Sequence, residues 1–366
     1  MTTTSSHTTH NYCLIDRNAI QHNLSLLRQK LSPNTHIMGI VKANAYGLNA
    51  IEMAKLFESI GIEMIGVAYT QEGANLKEAG ISAPIFILHA NEAEIPLIIE
   101  YNLEVAVTDA KMIQKLGDQA KTENKTVKVH LHIDTGMKRL GCDPEDALSL
   151  AKLTRDHPGL SLHGIMTHLS SADTPEDDPF TMNQVRTFEH CVQEIEQAGI
   201  SIPWKHVSNS SASIRFQFDQ FNLARVGIAL YGLVPSTEVE GIIPLQSAVK
   251  VTSRIAEIHH CKAGDTISYN RTYRSHRDQQ RIAVLPFGYA DGMHGTYVMI
   301  HGMKAPVIGK ICMDFTVVDI DAIPEAEVGD EVLIYNGKMI SEIANEKNIP
   351  IYQLLTSLGG RVLKTM

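Results

Sequence analysis

The sequence predicts an α/β protein of two domains, a (β/α)8 TIM barrel followed by a mainly β C-terminal domain. Before residue 245, eight strand-like apolar runs alternate with amphipathic helical segments, which is the pattern of a barrel of parallel strands. After residue 245, short strand-like runs with glycine-containing turns follow one another, and no helical segment interrupts them before "MISEIANEKN". This second pattern indicates a mostly antiparallel sheet. We therefore expect a flexible arm over residues 1–11, the barrel over 12–245 and the second domain over 246–366.

Eight apolar runs are the candidate barrel strands, and most of them are followed by a helical pattern. In "NAIEMAKLFESIG", for example, Met53, Leu56, Phe57 and Ile60 share one helical face. The seventh helix, near residues 211–218, is short, so the barrel prediction rests on the number of units. The candidate strands are "HIMGIVKA" (36–43), "MIGVAY" (64–69), "PIFIL" (84–88), "LEVAVTD" (103–109), "VKVHLHID" (127–134), "LHGIMTHL" (162–169), "WKHVSNS" (204–210) and "FNLARV" (221–226).

The composition argues against several classes of protein. The 366 residues carry a mild net charge of −9 and no block of lysine or arginine, so nucleic acid and anionic membranes are not expected partners. The five cysteines are scattered and none forms a CxxC pair, which argues against a disulfide framework or a zinc knuckle. The polar start "MTTTSSHTTHNYC" lacks a secretory pattern and no apolar run reaches membrane-spanning length, so we expect a cytoplasmic protein.

Polar side chains gather where the predicted barrel strands end, which is the edge of a barrel that carries the chemistry. Lys42 follows the apolar run 37–41, although lysine is rarely buried without a partner. Such a lysine is either a surface residue or a chemical group held in a site, and its polar neighbours on one rim favour the second interpretation. Those neighbours are His132, Asp134, Arg139, Thr167, His168, Ser208, Asn209, Ser210 and Arg225.

The ends of the last two strands indicate a ligand that carries a phosphate. "SNSSAS" supplies hydroxyls and a helix-capping pattern, and "RVGIA" supplies a glycine that lets an anion approach the backbone. Each motif alone is more typical of an ordinary helix cap or tight turn. Together with Lys42, they favour an aldehyde cofactor such as pyridoxal 5'-phosphate, with which a lysine amine can react.

Eight segments of the chain resemble the alanine racemase family of fold-type III pyridoxal-phosphate enzymes. They lie in the order of that family between residues 12 and 362, which is nearly the whole chain. The first of them, "VKANAYG", is quite specific, and the complete set makes coincidence a poor explanation. The others are "DTGMKRLG", "THLSSAD", "SNSSA", "ARVGIALYG", "ISYNRTY", "GYADG" and "GKICMD".

The resemblance implies a role for each matching residue. Lys42 would bind the cofactor covalently and act as one of two acid/base groups, and Tyr269 would be the second, reaching in from the other subunit of a homodimer with shared active sites. The implied cofactor contacts are Tyr46, Ser210, Gly227 and Ile228 at the phosphate, Asn209 beside them, Arg225 at the pyridine nitrogen, and His168 behind Arg225 and Tyr269. The implied substrate contacts are Arg139, Met313, Asp314 and, at the entrance, Tyr289.

The activity implied by the resemblance is the interconversion of L- and D-alanine, which supplies D-alanine for peptidoglycan synthesis. Racemisation needs a proton removed from one face of Cα and another delivered to the opposite face, and two bases do this most simply. Lysine and tyrosine both have ordinary pKa values of about 10, so each must be shifted toward neutrality. Arg225 keeps its own proton, so it would leave the pyridine nitrogen unprotonated and favour racemisation over transamination.

Three residues depart from the family pattern. His132 stands where a lysine is common, often carbamylated, and imidazole brings no negative charge, so we expect neutral His132 to accept a hydrogen bond from Arg139, with or without an anion nearby. Gly360 stands where some relatives carry a tyrosine on the cofactor phosphate, which predicts weaker anchoring or a substituting water. Asn270 stands where glycine is usual and is expected to affect the pocket near Tyr269.

Three other functions fit parts of the sequence. His130 and His132 form an HxH pair that would suit a metal-dependent barrel hydrolase, but in those enzymes the pair lies on the first strand and not the fifth. A pyridoxal-phosphate-binding protein without racemase activity would be a single barrel, without the domain that carries Tyr269. A racemase of serine, lysine or several amino acids keeps the same mechanism and stays open, because the volume of the pocket decides the substrate.

Overall fold

The structure, a computed structural model, describes residues 10–366. Residues 1–9, most of the expected arm, lie outside this range. No helix within the described range combines the length and the apolar character needed to cross a membrane. The described residues form two compact units, a barrel unit with residues 21–230 and 234–245, and a second unit with residues 10–20, 231–233 and 246–366. The predicted fold class, a barrel with a separate mainly β domain, is confirmed.

The first element of the described residues is β1 (Tyr12–Ile15), and the eight barrel strands with their helices follow. The barrel strands are β2 (His36–Ile40), β3 (Met64–Val67), β4 (Ile85–Ile87), β5 (Glu104–Val107), β6 (Val127–His132), β7 (Leu160–Met166), β8 (Trp204–His206) and β9 (Leu223–Val226). The helical segments in this part of the chain are α1 (Arg17–Lys30), α2 (Lys42–Tyr46), α3 (Ala50–Ser59), α4 (Thr70–Glu78), α5 (Ile95–Glu100), α6 (Ala110–Thr122), α7 (Ala147–Asp156), α8 (Asp178–Gln197) and α9 (Ser210–Arg215). Of these, α2 is a left-handed turn and not a right-handed α-helix.

The barrel strands all pair in parallel, in the spatial order β8-β7-β6-β5-β4-β3-β2-β9. The two end strands are joined as well, because the amide of Arg225 donates to the carbonyl of Ser208 over 2.9 Å. The amide of Asn222 donates to the carbonyl of Lys205 over 3.1 Å. The eight strands therefore form a nearly closed barrel, and their carboxyl ends meet at one rim.

Close packing and helix caps fix the helices on the barrel. Gly39 of β2 lies against Phe57 of α3, where a Cβ would come within 2.5 Å of the ring. Burial of a side chain such as Phe57 stabilises the fold by roughly 1.5–3 kcal/mol. At the start of α6, the side chain of Asp109 accepts a hydrogen bond from the amide of Met112 over 2.9 Å, which satisfies one of the free amides of the first turn.

After β1, the second unit contains β10 (Val249–Arg254), β11 (Glu257–Cys261), β12 (Thr266–Ile267), β13 (Tyr273–Arg274), β14 (Gln280–Leu285), β15 (Tyr297–Ile300), β16 (Met303–Ile308), β17 (Thr316–Asp319), β18 (Glu331–Asn336), α10 (Gly337–Lys347), α11 (Ile351–Thr356) and β19 (Leu363–Thr365). Nine of its strands form one sheet, in the order β11-β14-β17-β16-β15-β18-β10-β1-β19, and β12 and β13 pair with each other. All pairings within the nine-stranded sheet are antiparallel except that of β1 with β19.

The first strand belongs to this second sheet, although the predicted barrel range included it. In β1, Tyr12 pairs with Thr252 of β10 and with Leu363 of β19. Two neighbours pair with the backbone of β1, one on each side, which holds residues 12–15 in the sheet. A local sequence pattern reveals a strand but not a partner some 240 residues away, which is why the difference arises.

Candidate active site

Lys42 follows β2 and opens a left-handed turn. Residues 43–46 all have positive φ, between 52° and 56°. A residue other than glycine in this conformation costs about 1–2 kcal/mol relative to the right-handed helix. Backbone strain that persists at the end of a barrel strand is typical of a functional site.

Hydrogen bonds from outside the turn hold it in place. The amide of Ala43 donates to Oε1 of Glu72 over 2.6 Å, and the amide of Ala50 donates to Oδ1 of Asn44 over 2.9 Å. Asparagine also tolerates the left-handed region better than most residues, because its short polar side chain bonds locally. The turn therefore presents a half-buried Lys42 at the barrel rim.

Lys42 lies among cationic groups. Burial lowers the pKa of its amine below the ordinary value, and the guanidinium groups of Arg139 and Arg225 lower it further. The carboxylate of Glu72 opposes this shift without reversing it. An amine that loses its proton more readily is a better nucleophile and can act as a base at neutral pH.

Ser210, at the start of α9, and Gly227, after β9, form a small cradle with Tyr46. The hydroxyl of Ser210 accepts a hydrogen bond from the amide of Gly227 over 3.0 Å, and lies 3.5 Å from the amide of Ala229. A Cβ added at Gly227 would come within 2.1 Å of Oη of Tyr46. The missing side chain thus lets backbone amides and two hydroxyls converge, a set of groups that suits a phosphate. Ile228 follows directly and begins a short 3-10 turn.

Arg225 in β9 is buried, and both of its terminal nitrogens are bonded to the barrel. Nη1 donates to the carbonyl of His206 over 2.8 Å and lies 3.3 Å from Nδ1 of the same residue. Nη2 donates to the carbonyl of Thr167 over 2.7 Å and lies 3.2 Å from Nδ1 of His168. Burial, followed by the charge of Arg139, lowers the pKa of Arg225 to about 9, so the guanidinium stays protonated at neutral pH.

The two histidines beside Arg225 are neutral at neutral pH. Burial is the main cause that holds the pKa of His168 and of His206 well below the ordinary value, and the charge of Arg225 adds to it in both. Each therefore accepts a hydrogen bond from the guanidinium without adding a second charge. His206 was not predicted as a site residue, although a histidine inside the apolar run "WKHV" is a signal that could have identified it.

His132, the last residue of β6, lacks the hydrogen bond to Arg139 that the sequence led us to expect. His132 is buried and its Nδ1 has no hydrogen-bond partner among the described residues, whereas Arg139 is exposed. Burial, then Arg225 and Arg139, lower the pKa of His132 to about 4. The two side chains therefore interact through charge and not through a hydrogen bond.

Other polar residues at the rim form bonds within the barrel. Asn209 caps α9 by accepting from the amide of Ala212 over 3.0 Å, and it donates to the carbonyl of Leu169 over 3.1 Å. Asp134 accepts from the amide of Gly136 over 2.9 Å. These bonds position the loops of the rim, and a contact of Asn209 with the cofactor stays a prediction.

One group of side chains among the described residues has the geometry to hold a metal ion, namely Glu104, His130 and His163. His132, the second half of the HxH pair, does not belong to this group. Nε2 of His130 and Nδ1 of His163 lie 2.9 and 2.8 Å from Oε2 of Glu104, which are ordinary hydrogen bonds. Hydrogen bonding thus accounts for the group, and the hydrolase alternative gains no support from it.

In the second unit, Tyr269 begins a short 3-10 turn and is 68% exposed. Asn270 follows with φ 59° and ψ 12°, a left-handed conformation that asparagine adopts more readily than most residues. Asn270 therefore keeps the backbone path that a glycine would allow. Oγ of Ser268 anchors the turn, since it donates to the carbonyl of Lys310 over 2.6 Å and accepts from the amide of Lys310 over 3.0 Å.

Tyr289 and Met313 lie on two loops of the second unit that are bonded to each other. The amide of Ala290 donates to the carbonyl of Met313 over 3.1 Å. A Cβ at Gly288 would come within 2.1 Å of the same carbonyl, so only glycine permits this approach. Tyr289 and Met313 are both about half exposed, at 54% each.

Arg361 connects the same two loops through their carboxylates. Its Nε and Nη2 each donate to Asp291 over 2.9 Å, and its Nη1 donates to Asp314 over 2.6 Å. Asp291 is buried, so this paired contact is a charge-assisted anchor. The preceding residue, Gly360, is exposed, and a Cβ there would meet nothing within 4 Å.

Comparison with protein families covers both units of the chain. Residues 15–235 match the family described as "Alanine racemase, N-terminal domain". Residues 248–366 match the family described as "Alanine racemase, C-terminal domain". The two matches follow each other in the expected order and leave out only the start of the chain and a short segment between them.

Individual relatives match over nearly their whole length. The alanine racemases of Desulfosudis oleivorans and Methanococcus maripaludis are each 35% identical to this chain, with 95% of this chain and 94% and 96% of the relatives covered. The solved alanine racemase of Clostridium difficile 630 is 32% identical, with a TM-score of 0.91 over 97% of this chain and 95% of that one. The alanine racemase of Bartonella henselae, solved with covalently bound pyridoxal phosphate, is 25% identical, with a TM-score of 0.84 over 97% and 98%. Since both units match in order and along nearly all of their length, the chain belongs to the alanine racemase family of amino-acid isomerases.

Proposed function

We propose that this protein binds pyridoxal 5'-phosphate at Lys42 and interconverts L- and D-alanine. The observation that carries the proposal is the environment of Lys42, whose amine has a lowered pKa and is held by a strained turn beside two guanidinium groups. A surface lysine needs neither the strain nor the lowered pKa. A lysine that must react with an aldehyde and exchange protons needs an amine of this kind.

The residues of the barrel rim fit this cofactor. The cradle of Ser210, Gly227 and Tyr46 has no side chain at its centre, because the position closest to the tyrosine hydroxyl is a glycine. We assign the phosphate to these residues and to the amide of Ile228. Arg225 would face the pyridine nitrogen with its Nε, because its terminal nitrogens Nη1 and Nη2 are already bonded to the barrel. The relative from Bartonella henselae is described with the same group covalently bound.

Bound pyridoxal phosphate supplies an aldehyde for the amino group of the substrate and withdraws electrons from its Cα. Lys42 would exchange a proton between its Nζ and one face of Cα. Arg225, a donor that keeps its proton, would leave the ring nitrogen unprotonated and so limit side reactions such as transamination. His168 and His206, both neutral, would accept hydrogen bonds from Arg225 and hold its guanidinium in position.

The second base would be Tyr269 of another copy of the chain, in a homodimer with two shared active sites. Tyr269 is 68% exposed, and so is available to a partner, on a turn that Ser268 anchors. Met313 and Asp314 would lie near the substrate carboxylate with Arg139, and Tyr289 would line the entrance. Two bases on opposite faces of Cα account for inversion at this carbon, whichever enantiomer is bound.

The cellular role that follows is the supply of D-alanine for peptidoglycan synthesis in the cytoplasm. The substrate is a free amino acid with a small side chain. Serine and lysine differ from alanine only in the side chain, so pocket volume selects among the three, and each added methylene changes binding by about 1–3 kcal/mol.

The proposal is tested with purified protein and added pyridoxal phosphate. We expect a visible absorbance band that disappears on borohydride reduction, and peptide mapping should then locate the label at Lys42. We also expect D-alanine to form from L-alanine faster than D-serine or D-lysine form from their enantiomers. Absence of the band would refute the cofactor assignment, and faster turnover of serine or lysine would refute the substrate assignment.

The two-base part is tested in deuterium oxide with the Tyr269→Phe variant. If Lys42 serves one face of Cα and Tyr269 the other, this variant loses racemisation but still exchanges the Cα proton of one enantiomer. Exchange with both enantiomers at equal rates would show that a single base serves both faces.

A further inference from the structure

A chain of buried hydrogen bonds crosses the barrel from Arg225 to a carboxylate on another strand. Nδ1 of His206 lies 3.3 Å from Nη1 of Arg225, and Nε2 of His206 lies 2.8 Å from Nδ1 of His130. Nε2 of His130 lies 2.9 Å from Oε2 of Glu104. All four residues are buried, and His130 and His206 have no exposed surface.

The chemistry of the two ends fixes the direction of every bond in this chain. A guanidinium only donates, so Nδ1 of His206 must accept from Arg225. His206 then carries its proton on Nε2 and donates to His130, which in turn carries its proton on Nε2. The final acceptor is the Glu104 carboxylate. Burial raises the pKa of Glu104, but hydrogen bonds from His130 and His163 outweigh it and hold the pKa well below the ordinary value, so the carboxylate is ionised.

The packing around His130 keeps its ring in this orientation. Gly164 of β7 lies directly against the ring, where a Cβ would come within 2.3 Å of Nδ1. Phe86 packs on the ring with a centroid separation of 4.6 Å. The ring thus occupies a space that accommodates it only because residue 164 has no side chain.

The bonds to the barrel leave one nitrogen of Arg225 for a ligand. The contacts described above use Nη1 and Nη2, and within residues 10–366 the structure records none for Nε. If His206 carried its proton on Nδ1, two donors would face each other and the guanidinium would have to turn away. The tautomer of His206 therefore acts together with the carbonyl acceptors of Nη1 and Nη2 to set where Nε points.

We propose that Glu104 is a positioning residue for Arg225, acting through His130 and His206 so that Nε of Arg225 faces the bound cofactor. The inference rests on the proposed function, because it assigns Arg225 to the pyridine ring. Glu104 touches neither substrate nor cofactor in this account. Its contribution is to accept the last hydrogen bond of this network, from Nε2 of His130, and so to fix one tautomer for both histidines.

The first test is nitrogen-15 NMR of the full-length protein labelled at histidine. We expect His130 and His206 to be neutral imidazoles with the proton on Nε2, both with and without pyridoxal phosphate. A proton on Nδ1 of His206 would overturn the proposal. This measurement needs no bound cofactor, so its failure is distinct from a failure of the proposed function, which would appear as a wild-type protein that does not bind pyridoxal phosphate.

The second test compares three variants by their dissociation constant for pyridoxal phosphate and by thermal unfolding. Glu104→Leu removes the acceptor and should weaken binding roughly tenfold, the effect of one lost buried hydrogen bond. Glu104→Gln keeps an acceptor oxygen and should restore most of the affinity. His163→Gln is the matched control, because His163 bonds to the same carboxylate but does not belong to the series of hydrogen bonds that leads to Arg225. It should lower the melting temperature and leave the affinity within about twofold.

A purely structural role for Glu104 predicts a different result. Glu104→Leu and His163→Gln would then differ only in melting temperature, with equal affinities for pyridoxal phosphate, and this outcome would overturn the proposal. If Glu104→Leu does not fold, Gly164→Ala takes its place. It displaces the His130 ring without removing any hydrogen-bonding group, and it should weaken binding and change the His206 tautomer.

Discussion

The amide of Gly227 donates a hydrogen bond to the hydroxyl of Ser210 over 3.0 Å, and this bond joins the segment after β9 to the first residue of α9. Tyr46 lies so close to Gly227 that any side chain there would meet its hydroxyl. Three segments far apart in sequence thus converge on one glycine. In our account this is where the cofactor phosphate binds.

Gly227→Ala should weaken the binding of pyridoxal phosphate by at least about tenfold, since the new methyl would displace a hydroxyl that we assign to the phosphate. An ideal Cβ would lie 2.1 Å from Oη of Tyr46, a distance that real Cβ atoms do not show. Equilibrium dialysis measures the affinity. The control is Gly39→Ala, whose Cβ would meet Phe57 in the barrel core at 2.5 Å, so that it should lower the melting temperature without a specific loss of affinity. Equal effects on affinity would contradict the assignment.

Lys42→Met should stabilise the cofactor-free protein at pH 7. The folded pKa of Lys42 is lowered, mainly by burial and then by Arg139 and Arg225, from the ordinary value of 10.5. The unfolded chain therefore holds this proton at pH values where the folded chain releases it. At pH values below 10.5, Lys42 thus lowers the free energy of unfolding. The gain in melting temperature should shrink as the pH rises toward 10.5. Lys55→Met, on the exposed face of α3, is the control and should show no such trend.

His132→Gln should reduce the loss in the free energy of unfolding that occurs as the pH falls from 6.5 to 4. The folded pKa of about 4 lies below the ordinary 6.5, so the unfolded state takes up a proton first as the pH falls through this window. Through this residue alone, the free energy of unfolding of the wild type should fall by up to about 3 kcal/mol between pH 6.5 and pH 4. Urea unfolding at pH 6.5 and 4.5 measures the difference, with exposed His89→Gln as the control. An equal loss in wild type and His132→Gln would contradict the prediction.

Arg361→Gln should raise the KM for alanine by up to about fivefold, the range expected for partly exposed ion pairs. The variant removes the bond to Asp314 and the paired contact with Asp291, which together hold the loop of Met313. The affinity for pyridoxal phosphate should not change. Arg254→Gln, which loses only an exposed bond to the carbonyl of Gly329, is the control. A loss of cofactor affinity in Arg361→Gln would show that this loop contributes to cofactor binding and not only to the substrate pocket.

The sequence was informative where the signal is local. Eight apolar runs, most of them followed by a helical pattern, predicted the eight barrel strands, because an apolar strand between amphipathic helices leaves a clear alternation. Lys42 stood out because lysine is rarely buried without a partner and because other polar residues were expected on the same rim. The polar residues at the rim could be grouped because parallel strands bring their carboxyl ends together.

The sequence was silent where tertiary contacts override local preference. The segment "HIMGIVKA" (36–43) was predicted to be a strand, whereas β2 ends at Ile40 and a left-handed turn follows. That turn depends on Glu72, which no local rule connects with Ala43. The bonds of His206 to Arg225 and His130 join three different strands, so the role of His206 emerged only from the structure.

The most direct test of the central claim is complementation between two inactive variants, Lys42→Ala and Tyr269→Phe. If Tyr269 acts across the dimer, a mixed dimer contains one site with both bases and one site with neither. Unfolding and refolding an equal mixture should then restore about a quarter of the wild-type activity, because half of the dimers are mixed and half of their sites are complete. Activity that stays at the sum of the two separate variants would contradict the shared site.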